Sequence, residues 1–154
     1  MLEKALEMSP EFADAYYLKG LIADREQNTD EAKQYFEEAL LKGTEDLHTV
    51  YNLGRLYYHS ENYEKAREFL EKAIGLDPED SDSHYCMGLV YEAEENEEEA
   101  ITSYEKAIEL DKQNINAWLF LGKIYDRKQN FEAAVNAYKQ IIELDPNNLE
   151  GNYE

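Results

Sequence analysis

The sequence predicts an all-α solenoid, in which antiparallel pairs of helices stack in a row and share one core. Residue types recur every 34 positions over most of the 154-residue chain, as they do in repeat architectures. Within one period, an apolar set at i, i+3, i+4 and i+7 marks one face of a helix: Val50, Leu53, Gly54 and Tyr57. Only 3 Pro and 7 Gly are present, which allows long helices. Because one helix pair cannot bury its own apolar face, the pairs are expected to stack.

Two helices in each repeat are predicted by small residues that alternate with large ones. Glycine and alanine recur where the helices approach closely, with large residues beside them. The recurring sets are Gly20, Gly54, Gly88 and Gly122; Ala32, Ala66, Ala100 and Ala134; Ala39, Ala73, Ala107 and Ile141; and Phe36, Leu70, Tyr104 and Tyr138. Asn62, Asn96 and Asn130 predict short polar turns between the two helices. Pro78 and Pro146 follow Leu-Asp and predict the ends of second helices.

This pattern resembles the tetratricopeptide repeat. The fourth repeat carries the whole signature, which consists of Trp118, Leu121, Gly122, Tyr125, Ala134, Tyr138 and Pro146. The third repeat has Lys112 in place of the proline. The first repeat departs most, because Lys19, Ala23 and Thr44 stand at positions that are usually apolar, large and proline. The resemblance implies a right-handed superhelix of antiparallel helix hairpins.

Four complete repeats and two partial ones are predicted along the chain. The complete repeats span residues 13–46, 47–80, 81–114 and 115–148. Residues 1–12 match residues 69–80 at Leu, Glu, Lys, Ala, Pro and Glu when aligned without gaps, which predicts the second half of a truncated preceding repeat. Residues 149–154 are predicted to begin a further repeat. We therefore expect a fragment of a longer array.

The last predicted helix, residues 131–144, has no capping helix after it in the sequence. We expect it to leave Ala134, Tyr138, Ile141 and Ile142 uncovered. Exposed apolar helix faces favour contacts between molecules. The sequence therefore predicts end-to-end association of copies of the chain.

The charge of the chain excludes several classes of partner. The formal net charge is −20, whereas duplex nucleic acid and anionic membrane surfaces attract cationic proteins. No apolar run is long enough to cross a membrane, and the N-terminus lacks the apolar core of a signal peptide. The single cysteine, Cys86, excludes an intrachain disulfide framework. We expect a cytoplasmic protein that binds neither nucleic acid nor membranes.

The resemblance implies that the first helices line a concave groove for a protein or peptide partner. In the family, groove-facing residues recur at the second, fifth, ninth, twelfth and thirteenth positions of each repeat. Asn52, at a sixth position, matches one position of the clamp with which some members of the family hold a C-terminal carboxylate. The candidate partner-binding residues are therefore Tyr17, Leu21, Arg25, His48, Tyr51, Asn52, Arg55, Tyr58, His59, Tyr85, Leu89, Leu119, Lys123 and Arg127.

These groove positions are close to neutral, with four cationic and five anionic residues. Tyrosine and arginine are typical of the centres of binding surfaces. Two interpretations of the tyrosines remain open, namely contact with a ligand and packing between repeats. Arg55, Lys123 and Arg127 are stronger candidates, because the fold is not expected to need them.

Chaperone-binding members of the family hold a C-terminal carboxylate in a clamp built from three successive repeats. Asn52 matches the middle position of the clamp, but Tyr17 and Leu21 stand where the family has lysine and asparagine. Asp82, at a position that is basic in the clamp, would repel a carboxylate. Starting one repeat later also fails, because Cys86 takes the middle position. We predict no tight binding of chaperone C-terminal tails.

Catalytic and metal-binding motifs are not evident in the sequence. His48 and His59 are 11 residues apart on one predicted helix, about 16 Å at a rise of 1.5 Å per residue, too far to share a metal ion. The acidic run from Glu92 to Glu99 lacks the alternating Asp/Asn and the central Gly of a calcium loop. We therefore expect no cofactor, no metal and no enzymatic activity.

The predicted function is that of a non-catalytic scaffold that binds a peptide or a partner segment in the groove. Two alternatives remain. The array could be a regulatory or docking region of a larger enzyme, or a self-assembly module that stacks through its end helices. The repeats themselves do not distinguish the three, because fold does not determine function.

Overall fold

The computed structural model describes residues 13–43 and 46–146, and every regular element in them is helical. The described residues contain eight helices: α1 (Ala13–Arg25), α2 (Thr29–Leu41), α3 (Leu47–His59), α4 (Tyr63–Leu76), α5 (Ser81–Ala93), α6 (Glu97–Leu110), α7 (Ile115–Arg127) and α8 (Phe131–Leu144). The predicted partial repeats at residues 1–12 and 149–154 lie outside the described residues, as does Thr44. The predicted all-α fold class is confirmed.

The chain divides into two compact units, with the boundary between Pro78 and Glu79. In unit 1, α1 pairs with α2 and α3 pairs with α4, and α2 packs on α3 to join the two hairpins. In unit 2, α5 pairs with α6 and α7 with α8, and α6 packs on α7. Each unit thus contains two helix hairpins that share a core, as the stacking argument requires.

Glycine allows the two helices of each hairpin to approach closely at the same crossing. A Cβ atom added to Gly88 would lie 2.5 Å from Cε1 of Tyr104, a separation that packed interiors do not permit. The equivalent pairs in the other hairpins are Gly20 and Phe36 at 2.7 Å, Gly54 and Leu70 at 2.7 Å, and Gly122 and Tyr138 at 2.7 Å. The close approach predicted at these glycines is confirmed.

Small and large buried side chains alternate around these crossings. In unit 2 the buried core consists of Ala100, Tyr104, Ala107, Ile108, Ala117, Leu121 and Ile124. The alanines come from α6 and α7, which lets these two helices meet while Tyr104 and Leu121 fill the space beside them. The core therefore belongs as much to the junction between hairpins as to either hairpin alone.

Asparagines mark the predicted turns inside the hairpins. Asn62 and Asn130 are the N-caps of α4 and α8, where their side chains accept hydrogen bonds from the N–H groups of Lys65 (3.2 Å) and Ala133 (3.3 Å). Such a bond satisfies one of the N–H groups that a helix start leaves without a partner. Asn96 lies at the N-cap of α6 without a side-chain hydrogen bond.

The residue that precedes each of Asn28, Asn62, Asn96 and Asn130 has a left-handed backbone conformation, although none of these four preceding residues is glycine. Side chains other than glycine pay about 1 kcal/mol for this conformation. The amide N–H of the following asparagine bonds to a carbonyl five residues earlier, as from Asn62 to Tyr57 at 2.9 Å, which closes the end of the first helix. The residues and their φ angles are Gln27 (63°), Glu61 (58°), Glu95 (61°) and Gln129 (58°).

The expectation that α8 leaves Ala134, Tyr138, Ile141 and Ile142 uncovered is partly wrong. Ala134 and Ile141 are buried, because they lie on the side of α8 that packs against α7. The large apolar residues of α8 that remain exposed are Phe131 (61%), Val135 (50%), Ile142 (39%) and Leu144 (38%). The first three follow at spacings of four and seven residues and so share a different helix face.

The helix crossings give a direct test of the fold. We expect Gly88→Ala to lower the free energy of unfolding by about 1–3 kcal/mol, because the new methyl group overlaps the Tyr104 ring. Gly75→Ala is the matched control, since nothing lies within 4 Å of a Cβ placed there in α4. This control should raise stability, by up to about 1 kcal/mol. Denaturant unfolding followed by circular dichroism measures both changes, and equal effects would contradict the crossing.

Candidate functional site

All of the candidate partner-binding residues lie on the first helices of the hairpins, and none is fully buried. In unit 1 they lie on α1 and α3, and in unit 2 on α5 and α7. We call these surfaces the unit 1 face and the unit 2 face. The unit 1 face comprises Tyr17, Leu21, Arg25, His48, Tyr51, Asn52, Arg55, Tyr58 and His59. The unit 2 face comprises Tyr85, Leu89, Leu119, Lys123 and Arg127.

Arg55 links the two first helices of unit 1. Its guanidinium forms an ion pair with the Asp24 carboxylate on α1, and both side chains are about three-quarters buried, with exposed fractions of 27% and 26%. Asn52 lies beside this pair and donates a hydrogen bond to the His48 carbonyl at 2.9 Å. Arg55 thus stabilises the junction between the repeats.

Arg127 has the same kind of role in unit 2. Its Nη1 donates to Glu92 Oε1 at 3.0 Å and its Nε donates to Glu97 Oε1 at 3.1 Å. The other oxygen of Glu92 accepts a hydrogen bond from the Tyr104 hydroxyl at 3.1 Å. One carboxylate therefore holds α5, α6 and α7 together.

These ion pairs bear on the selection of Arg55, Lys123 and Arg127 as the stronger candidates, which rests on the expectation that the fold does not need them. The expectation that the fold does not use Arg55 and Arg127 is wrong, since both pair with acids of the preceding repeat. Lys123 differs from them. Its ammonium lies 5.1 Å from the centre of the Phe120 ring and has no ion-pair partner among the described residues. Lys123 and Arg25 are the exposed cations of these faces that no described acid neutralises.

Two tyrosines at the fifth repeat position take part in packing. The Tyr17 ring lies 5.6 Å from that of Phe36, within the first hairpin. Tyr85 lies 5.9 Å from Tyr104 and 6.2 Å from Phe120, and so connects α5 to both α6 and α7. Both rings are only half-buried. Packing between elements is therefore observed for them, and contact with a ligand stays a prediction.

Burial shifts the pKa of side chains on the first helices of both units, among them Tyr17 in unit 1 and Asp82 in unit 2. Burial, together with the nearby Asp46 carboxylate, raises the pKa of the Tyr17 hydroxyl. Burial also raises the pKa of Asp82, and the negative charges of Asp80 and Asp111 raise it further. Each shift favours the neutral form of the side chain.

Sequence reasoning missed a tyrosine–glutamate pair that links neighbouring repeats. The Tyr57 hydroxyl donates to Glu37 in unit 1, and the Tyr125 hydroxyl donates to Glu105 Oε1 at 2.8 Å in unit 2. Burial and the bond to Glu105 raise the pKa of Tyr125 to about 12. The signal was present in the sequence, because the glutamate precedes the tyrosine by 20 residues in both units.

The described residues contain no group of three or more His, Cys, Asp or Glu side chains placed to hold a metal ion. None of their helices combines the length and the apolar character needed to span a membrane.

The different roles of Arg55 and Lys123 predict different effects on stability. Arg55→Glu removes an ion pair that is about three-quarters buried and places two carboxylates together, so we expect a loss of about 1 kcal/mol or more in the free energy of unfolding. Lys123→Glu, a matched charge reversal at the same repeat position, should change it by less than about 0.5 kcal/mol. Urea unfolding at low salt measures both. Equal losses would show that the Asp24 pair is not structural.

Comparison with solved structures places the fold among known repeat proteins. The structure is similar to the crystal structure of MamA, with a TM-score of 0.88 and 24% sequence identity over 94% of this chain and 85% of that chain. It is similar to YrrB, described as a TPR protein with an unusual peptide-binding site, with a TM-score of 0.81 and 28% identity over 96% of this chain and 76% of that chain. PilF of Pseudomonas aeruginosa matches with a TM-score of 0.84 and 24% identity over 93% of this chain and 65% of that chain.

Comparison with protein families supports the same assignment. No match is found among curated protein sequences. A model described as the tetratricopeptide repeat protein 21 N-terminal ARM repeat matches residues 41–154, and a model described as the tetratricopeptide repeat matches residues 13–41. The chain therefore belongs to the tetratricopeptide repeat family, and residues 41–154 to the group described as the tetratricopeptide repeat protein 21 N-terminal ARM repeat.

Proposed function

We propose that the chain is a non-catalytic scaffold that binds an extended peptide or partner segment on its first-helix faces. The observation that carries this proposal is Lys123, an exposed cation that no described acid neutralises, next to the half-buried side chains of Leu119 and Phe120. A charge that contributes no ion pair to the fold, beside apolar surface, suits contact with another molecule. YrrB, whose description names a peptide-binding site, supports the same function for this chain.

The charges of the two faces set the chemistry of the ligand. Arg55 and Arg127 are neutralised by acids of the fold, so Arg25 and Lys123 supply the positive charge for a ligand. Asp126 lies three residues after Lys123 on α7, and Asp82 lies in the first turn of α5, so both acids belong to the first helices of unit 2. A ligand of mixed charge, with an acidic group at Lys123, is complementary to this arrangement. We retain the prediction that chaperone C-terminal tails do not bind tightly, because a bare carboxylate would meet these acids.

Selection from a displayed library of unstructured peptides tests this proposal. We expect peptides selected on the wild type to lose at least about tenfold in affinity for Lys123→Glu, because a new carboxylate repels the acidic group. Lys139→Glu on α8 is the matched control: it makes the same charge change at an exposed position outside the two faces. Peptides that bind all three proteins equally would remove the unit 2 face from the proposal.

A second candidate function, self-assembly, is favoured by the apolar residues that stay exposed on α8. Phe131, Val135 and Ile142 lie on one face, and Leu18 and Ile22 are exposed on α1. If α8 of one copy packs on α1 of another, the mass measured by sedimentation velocity rises with concentration. Val135→Glu should then restore the mass of a single chain, whereas Lys139→Glu should not. A constant single-chain mass at all concentrations would exclude this function.

A further inference from the structure

The two units differ at one tyrosine on the side that the second helices form. In unit 1, the Tyr57 ring is stacked on Phe69 of α4, with ring centres 5.6 Å apart and an angle of 2° between the planes. In unit 2, Tyr125 stands two periods further along, and the residue that corresponds to Phe69 is Ala137. The ring that covers Tyr57 therefore has no counterpart on Tyr125.

Both units have a pocket at this place in the repeat. Phe69 lines the pocket of unit 1, whose volume is about 490 Å³. In unit 2 that ring is absent and Tyr125 lines a pocket of about 240 Å³, whereas an apolar cavity of about 150 Å³ already accepts benzene. Leu121, Ala137 and Ile108 are buried core residues, so the pocket reaches from the surface to the core of unit 2. The lining residues are Glu105, Ile108, Trp118, Leu121, Tyr125, Ala133, Asn136 and Ala137. We call this cavity the Tyr125 pocket.

The cations of unit 1 are also missing around the Tyr125 pocket. Lys33 and Lys65 lie over the Tyr57 ring, with Nζ 5.3 and 4.8 Å from its centre, and Lys72 lies 5.0 Å from the centre of Phe69. Their counterparts two periods further along carry no charge. These counterparts are Ile101, Ala133 and Gln140.

The acidic side chains, in contrast, are retained. Glu105 corresponds to Glu37 and accepts the Tyr125 hydroxyl bond at 2.8 Å, and it has no ion-pair partner among the described residues. Three other glutamates of α6 differ from it, since Glu97, Glu98 and Glu109 pair with Arg127, Lys128 and Lys106. The pocket thus combines an open aromatic face with one carboxylate, that of Glu105, which no described cation neutralises.

We propose that the Tyr125 pocket is a docking site for a protein segment in which an aromatic side chain is flanked by lysine or arginine. The ring stacks on Tyr125 as Phe69 stacks on Tyr57, and the flanking cations approach Glu105. The partner supplies the chemical groups that unit 1 supplies from its own sequence. Aromatic anchors in pockets beside complementary charge are typical of the residues that dominate binding energy. This surface is separate from the first-helix faces.

Trp118 makes the proposal directly measurable, because it is the only tryptophan of the chain and it lines the pocket. The probe is the acetylated and amidated tetrapeptide Lys-Phe-Lys-Lys, added to the 154-residue chain at up to millimolar concentration. We expect a saturable change in Trp118 fluorescence. The peptide Lys-Ala-Lys-Lys should bind about tenfold more weakly, because it lacks the ring. N-acetylphenylalanine amide, which lacks the cations, should also bind more weakly.

Two variants of α8 separate the pocket from the rest of the surface. Ala137→Phe introduces the residue that unit 1 has at this position, fills the pocket and should abolish the fluorescence response to the peptide. Val135→Phe adds the same ring on the exposed face of α8 and should leave the response unchanged. Circular dichroism of each variant checks that the helices are retained.

The proposal is overturned if Lys-Phe-Lys-Lys and Lys-Ala-Lys-Lys bind equally, since charge alone would then account for the binding. It is also overturned if a folded Ala137→Phe variant still binds, or if the wild type gives no saturable response. Equal binding of N-acetylphenylalanine amide would reject the cationic part of the partner. The peptide comparison on the wild type decides the proposal even if Ala137→Phe fails to fold.

Discussion

The close contact between a first-helix glycine and a large second-helix side chain is the constraint on which the rest of the structure depends. At Gly88 the contact leaves no room for even a methyl group against Tyr104. The same crossing recurs in every described hairpin, so the two hairpins inside each unit present equivalent surfaces to one another. Alanines such as Ala107 and Ala117 then let α6 and α7 meet closely. Because unit 2 repeats the junction found inside unit 1, a small change at a single position alters one junction and leaves the other intact.

Polar contacts between repeats determine which charges remain for binding. The chain has 15 basic residues against 35 acidic ones, and several of the basic ones join neighbouring repeats. Arg55 pairs with Asp24, Arg127 pairs with Glu92, and Lys128 pairs with Glu98. These pairs reduce repulsion between the acidic helices at the junctions, where it would be strongest. On the first-helix faces, Arg25 and Lys123 are the exposed cations without a described ion-pair partner, which makes their positions informative about ligands.

Much of the fold follows from the sequence, because the period and the helix faces depend on residue type alone. The glycine crossings and the asparagine turns were predicted from spacing, and the structure has both. The exposed face of α8 was predicted less well, since the periodic residues Ala134 and Ile141 mark the side packed on α7 rather than the open side. The roles of Arg55 and Arg127 were missed for a related reason. Their partners lie 30 to 35 residues away in the preceding repeat, so these contacts depend on how one repeat packs on the next rather than on the helix faces of a single repeat.

Equivalent positions in the two units show which side-chain contacts the fold needs and which it does not. Unit 1 covers the Tyr57 ring with Phe69, which lines the pocket of that unit, whereas in unit 2 the Tyr125 ring itself lines the pocket. Both arrangements keep the tyrosine–glutamate bond, so that bond is part of the junction and the covering ring is not. A stacked aromatic pair contributes to stability beyond the area that it buries. Unit 2 therefore gives up a stacking contact that unit 1 makes at the equivalent position, which is the physical reason for assigning the Tyr125 ring to a partner rather than to the fold.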